Sequence, residues 1–126
     1  MKRLYIALAL MAAVFVAGLF NTFYLGGLSE ELSVLLTEAE TRGESGDWET
    51  ALALTQQAED LWKEHDTYLH ITLHHADTDA ILLSFQEVTG LLQCREEGEY
   101  SAANAVLIGR IGLLYEQEQF SLKNLL

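Results

Sequence analysis

The chain has no proline and only one cysteine. Without proline, no position is barred from a helix interior by a missing N–H. Cys94 alone can form no internal disulfide, and no Cys-x-x-Cys or Cys/His spacing outlines a zinc site. Its default role is that of a small buried hydrophobe. β-Branched residues are sparse and nowhere alternate over a strand-length window, so half-buried strands have no signature. Cations are scarce as well. Of the seven Lys and Arg, Lys2 and Arg3 stand at the N-terminus, leaving Arg42, Lys63, Arg95, Arg110 and Lys123 against nineteen carboxylates. The chain as a whole carries −12, so everything after Arg3 carries −14. Nucleic acid and anionic headgroups repel a domain of that sign, which excludes both as ligands.

Catalytic motifs are also missing. There is no Gly-rich phosphate loop, no G-x-S-x-G and no HExxH, and the paired acids Glu30-Glu31 and Glu96-Glu97 fall at helix ends or loops. No residue receives a catalytic role, no cofactor is implied, and an enzyme is not expected.

What the chain does have is a run from Leu4 to Phe20 in which no side chain is charged and only the Tyr5 hydroxyl is polar. Continued through Phe23-Tyr24-Leu25, it supplies the ~20 residues needed to cross a hydrocarbon core of ~30 Å. Residues 4–25 are therefore read as contacting a lipid bilayer, with domain limits of 1–25 for the anchor and 28–126 for the rest. Tyr5 and Phe23-Tyr24 fall near the two ends, where aromatic rings prefer to lie. Lys2 and Arg3 point to a cytoplasmic N-terminus and an exported C-terminal domain. The rival is a cleaved signal peptide with Val16-Ala17-Gly18 as its processing site. Against it, the apolar run continues past that site without a polar segment.

Ala, Leu, Glu and Gln dominate the remainder, which predicts an all-α fold: an N-terminal transmembrane helix followed by a small antiparallel three- to four-helix bundle of two helical hairpins. Gly26-Gly27 mark a swivel, and Ser29-Glu30-Glu31 resembles the start of a new helix carrying Leu28, Leu32, Leu35, Leu36 and Ala39. If the glycines do not bend, anchor and first helix are one rod. Thr41 to Gly46 reads as a loop. The second helix begins near Asp47, with Ala51, Thr55, Ala58, Trp62 and His65 on one face. The third is expected over Thr67 to Arg95, with a possible break at Thr89-Gly90. It has one apolar side containing Leu83, Leu91 and Cys94, and a second containing Ile81, Phe85, Val88 and Leu92, the pattern of a central helix. The fourth spans about Tyr100 to Gln117, where Gly109 and Gly112 permit close approach of another helix. Ser121 to Leu126 is a docked tail or final turn.

Glu44-Ser-Gly46-Asp-Trp48-Glu-Thr-Ala51 is echoed by Glu96-Glu-Gly98-Glu-Tyr100-Ser-Ala-Ala103. Each copy has the makings of a helix start: a Gly for the turn, an acid at the positive helix end, and an aromatic to clamp the first turn. Similar openings occur in tetratricopeptide-like hairpins, but two copies suit two hairpins in one bundle better than a solenoid. Trp48 and Tyr100 are accordingly candidates for facing a partner.

One constellation could carry chemistry. His65, Asp66, His70, His74, His75, Asp77 and Asp79 crowd into fifteen residues. His70 and His74, four apart, stack on one helical face with Asp77 nearby, a set able to ligate a divalent metal such as zinc, copper or nickel. The same histidines also continue the packed side of Ile81 and Phe85, a structural or pH-sensitive role that needs no metal.

Taken in order, Met1-Lys2-Arg3-Leu4, Gly46-Asp47-Trp48-x-x-Ala51, Trp62-x-x-His65, His75-x-Asp77-x-Asp79-x-Ile81-x-x-Ser84-Phe85 and Ser121-Leu122-x-Asn124-Leu125-Leu126 resemble the family known as domain of unknown function 4363. Asp77-Thr78 departs from that family's Glu-Ile. The resemblance implies a short single-span membrane protein of the kind found in Firmicutes. It implies no activity, and it singles out Trp62, His65, His75, Asp77 and Asp79 as recurrent polar positions. Two functional expectations follow. One is a non-catalytic interaction or scaffolding module that binds another envelope protein. The other is a cation- or pH-sensing domain built on His70, His74 and Asp77.

Overall fold

The computed structural model describes residues 1–65 and 75–125. Among them are four α-helices and no strand: α1 (Lys2–Glu44), α2 (Trp48–Glu64), α3 (His75–Gln93) and α4 (Glu97–Leu125). The all-α expectation of an apolar N-terminal helix leading into a bundle of two hairpins is met.

α1 is a single unbroken helix of 43 residues, about 65 Å at 1.5 Å per residue. No new helix starts at Ser29, and the helix runs through Gly26-Gly27 without a break. Two interior glycines cost only ~1 kcal/mol each, and the packing on either side of them supports the continuous helix. Leu25 and Leu28 are already buried, and the Tyr115 ring lies 3.1 Å from where a Cβ on Gly26 would stand. The two halves differ in burial rather than in backbone. Every residue from Leu4 to Ala17 is exposed, whereas Leu25, Leu28, Leu32, Leu36, Ala39 and Gly43 are buried at three- and four-residue intervals.

The turn after α1 is shorter than the Thr41–Gly46 loop expected. Asp47 N–H donates to Arg42 O at 2.9 Å and Gly46 N–H to Gly43 O at 3.1 Å, with Gly46 at φ +87°. These are the paired bonds of a Schellman ending, which a residue without Cβ adopts at no steric cost. Asp47 then caps α2, accepting the Thr50 N–H at 3.3 Å. Hydrogen bonding from Thr50, first from its side chain and then from its N–H, holds the Asp47 carboxyl below its ordinary value. The turn after α3 has the same bond pattern, Arg95 N–H to Leu92 O and Glu96 N–H to Leu91 O. Here the left-handed residue is Arg95 at φ +56°, while Gly98 lies inside α4. The two echoed motifs are therefore not equivalent turns.

α2 buries Ala51, Thr55, Ala58 and Trp62, the face read from the sequence, and the Thr55 hydroxyl donates to Ala51 O at 2.9 Å. α3 departs from expectation. Ile81, Phe85, Val88 and Leu92 are buried, but Leu83 is 63 % exposed and Cys94 is exposed, so the helix has one packed side and is not central. It also runs unbroken through Thr89-Gly90. α4 continues to Leu125 in place of a docked tail, and nothing lies within 4 Å of a Cβ placed on Gly109 or Gly112. Close approach occurs instead at Gly26 and at Gly43, whose Cβ position is 3.2 Å from the Tyr100 ring.

α1 and α4 run antiparallel in a fixed register. Tyr100 lies on Gly43, Ser101 Oγ donates to Glu40 at 2.7 Å, Asn104 Nδ2 donates to Leu36 O at 3.0 Å, and Tyr115 lies on Gly26. α2 also runs antiparallel to α1, with Trp48 and Ala51 near Gly43 at one end and His65 near Tyr24 at the other. α3 packs on α2 and α4 and closes the ring. The result is an up-down-up-down four-helix bundle, with short turns at 45–47 and 94–96 joining α1 to α2 and α3 to α4.

The two close-approach glycines should respond differently to substitution. At Gly43 the opposing Tyr100 ring is buried and held by Trp48, so it cannot yield. Gly43→Ala should destabilise the bundle by about 1–2 kcal/mol despite its better helix propensity. At Gly26 the opposing Tyr115 is only half-buried and lies nearer the bundle surface than Tyr100 does. Gly26→Ala should stay within about 0.5 kcal/mol of the parent. Thermal unfolding of the full chain in detergent compares them.

Candidate functional site

The bundle has a far end, at the α1–α2 and α3–α4 turns, and a near end, toward the apolar stretch of α1. At the far end Trp48 and Tyr100 meet edge to face, with ring centroids 6.3 Å apart and planes at 68°. Tyr100 is 1 % exposed and Trp48 half-buried. Tyr100 is thus a core residue clamping the two helix starts together, which corrects its reading as a partner-facing side chain. Its hydroxyl has no partner among the described residues. Burial, with Glu40 and Glu44 nearby, pushes its pKa up to about 12. Asn104, one turn further on, uses its amide N–H to fix the register against α1, while its Oδ1 has no partner among the described residues.

The near end gathers most of the polar positions singled out from sequence. Trp62 is 3 % exposed and belongs to the core. His65, the C-cap of α2, is half-buried, and the Tyr24 hydroxyl of α1 hydrogen-bonds its Nδ1. The rings cross edge to face at 5.1 Å, and Phe20 stacks on Tyr24 at 6.4 Å. His75 and Asp77 stand in the first turn of α3, and Asp79 is exposed on that helix. His70 and His74 lie outside the described residues. Among the described residues no group of three His, Cys, Asp or Glu side chains is arranged to hold a metal ion.

Periodicity does not reveal the Tyr24–His65 pair, because forty-one residues separate its members. The same is true of the α3–α4 seam. Arg110 reaches from α4 to the Ser84 hydroxyl at 2.5 Å and to Ala80 O at 3.4 Å. Val106 and Leu113 flank Arg110 by one turn on each side and are 51 % and 55 % exposed, and Leu83 stands exposed beside Ser84. An arginine pinning two helices from outside, with bare apolar side chains one turn away on each side along its own helix, suits the edge of an interface better than a catalytic centre.

The family model described as Domain of unknown function (DUF4363) matches residues 19–125. The chain belongs to this family. The match covers the whole bundle and begins within the apolar part of α1, so the DUF4363 segment includes both the Tyr24–His65 junction and the Arg110 seam. No curated protein and no solved structure matches the chain.

Proposed function

We propose that this DUF4363 protein is a single-pass membrane protein whose helical domain lies on the outer side of the membrane and binds another envelope protein without catalysis. The observation that carries the reading is the continuity of α1. One helix is exposed and apolar over Leu4–Ala17 and then supplies a packed face of an acidic bundle. A fully exposed apolar helix is stable only where lipid or protein covers it. Lys2 and Arg3 favour a cytoplasmic N-terminus. The bare Val106 and Leu113 one turn either side of Arg110, with Leu83 exposed on α3, offer a recognition surface on an acidic domain.

Two measurements test the reading. Deleting residues 2–20 should move the protein from the carbonate-resistant membrane fraction to the soluble one, while extraction of the full chain by carbonate would remove the anchor. A photo-reactive residue at Leu113 should give one discrete adduct in native membranes, reduced at least several-fold by Leu83→Glu with Val106→Glu. Both positions are exposed, so each change should alter stability by no more than about 0.5 kcal/mol. An adduct of unchanged yield, or none, would remove the proposed surface.

A further inference from the structure

The register of α4 against α1 extends beyond the bundle. With Tyr115 on Gly26 and the helices antiparallel, each further residue of α4 lies one residue further back along α1. Because α4 remains helical to Leu125, Leu122 falls level with Leu19 and Leu125 level with Val16, inside the apolar stretch. Burial along α1 agrees. Leu10, Met11, Val14 and Val16 are 63 to 70 % exposed, whereas Phe15 is 39 % exposed and Gly18 and Leu19 are half-buried. Phe15 and Leu19 belong to the three- and four-residue stripe that continues through Gly26, Leu36 and Glu40, the stripe that contacts α4. The polar pair Asn21-Thr22 interrupts the apolar run of α1, and α4 passes from Glu-Gln-Glu-Gln at 116–119 to Phe120, Leu122 and Leu125 at that height.

We propose that the last turns of α4, residues 120–125, enter the lipid interface beside α1 as a second membrane-contacting element. This rests on α1 being the membrane anchor. The segment ends about 8 Å below the level of Asn21, given a rise of 1.5 Å per residue. Its mixture of Phe and Leu with Ser121, Lys123 and Asn124 suits the headgroup and upper acyl region rather than the bilayer centre. The occupant of this surface is lipid, by continuity with the apolar stretch of α1 at the same level.

The test uses the full chain with Cys94→Ser in phosphatidylethanolamine–phosphatidylglycerol vesicles. A single nitroxide is placed at Ala12→Cys, Ala102→Cys, Leu122→Cys or Leu125→Cys. Ala12 and Ala102 are both exposed, the first on the apolar stretch and the second on the bundle. Collision with oxygen relative to a nickel chelate should be highest at 12 and lowest at 102. At 122 and 125 it should be intermediate, several-fold above 102. If 12 is raised while 122 and 125 match 102, the anchor stands and the interfacial segment is overturned. Protection of 122 and 125 from both reagents, growing with protein density, would replace lipid by a second copy. A value at 12 equal to that at 102 would remove the anchor, and the inference with it.

Discussion

Tyr100→Ala is expected to cost the bundle about 3–5 kcal/mol, the usual loss for truncating a buried aromatic ring. The ring is 1 % exposed, fills the space above Gly43 and meets Trp48 edge to face, so its removal opens a cavity where both helix turns converge. Tyr100→Phe should behave quite differently. It keeps the ring and deletes a hydroxyl that has no partner among the described residues, so stability near neutral pH should be unchanged or slightly higher. The two tyrosine forms also predict a pH dependence. The folded pKa is raised to about 12 from an ordinary value of 10.0, so the neutral phenol is the form favoured by folding. Its contribution is intact below pH 10 and is lost as pH rises toward 12, at up to about 1.4 kcal/mol per pH unit. Urea unfolding of the full chain in detergent at pH 9 and pH 11.5 should show this loss in the parent. In Tyr100→Phe this component should be absent. An equal fall in both would assign the alkaline loss to other groups.

A second large effect is expected at Trp62, and its contrast with Asp79 separates structural from functional reasons for singling out these positions. Trp62 is 3 % exposed in the core at the near end, and Trp62→Ala should cost about 3–5 kcal/mol, enough to unfold a marginal bundle. Asp79 is exposed on α3, and Asp79→Ala should change stability by no more than about 0.5 kcal/mol. Any loss of partner cross-linking in Asp79→Ala with unchanged melting would therefore report recognition rather than folding. A drop of several degrees in Tm for Asp79→Ala would instead show that the carboxylate supports the fold.

The helical class, the four segments and the packed faces of α1 and α2 were legible because a soluble helix must repeat its apolar residues every three or four positions. Ala51, Thr55, Ala58 and Trp62 illustrate this directly. On α3 the same rule misled. Leu83 extends a second apolar row in the sequence, yet in a ring of four helices one packed face serves both neighbours, and Leu83 points away from it. Cys94 follows that row too, but α3 ends at Gln93, and past the helix end periodicity no longer indicates direction. The close-approach glycines were misplaced for a related reason. What a glycine allows depends on the side chain opposite, and Tyr100 and Tyr115 come to Gly43 and Gly26 only through the α1–α4 register. The near-end junction was legible as a list of residues and not as a geometry. Trp62, His65 and the start of α3 were all marked, but the hydrogen bond from Tyr24 depends on how α2 returns along α1.

The unbroken α1 also makes the protein a lever. From Phe20 to Glu44 the helix rises about 36 Å, so tilting the lower segment by about 10° with the bundle rigid sweeps the far end sideways by roughly 6 Å. Helices in bilayers adjust their tilt to match the thickness of the surrounding hydrocarbon. A swivel at Gly26-Gly27 would absorb such a motion, but the continuous helix transmits it. Under the anchoring proposed above, changes in bilayer thickness or lateral tension would arrive at the Trp48–Tyr100 end as displacement, amplified by arm length and without any rearrangement inside the bundle.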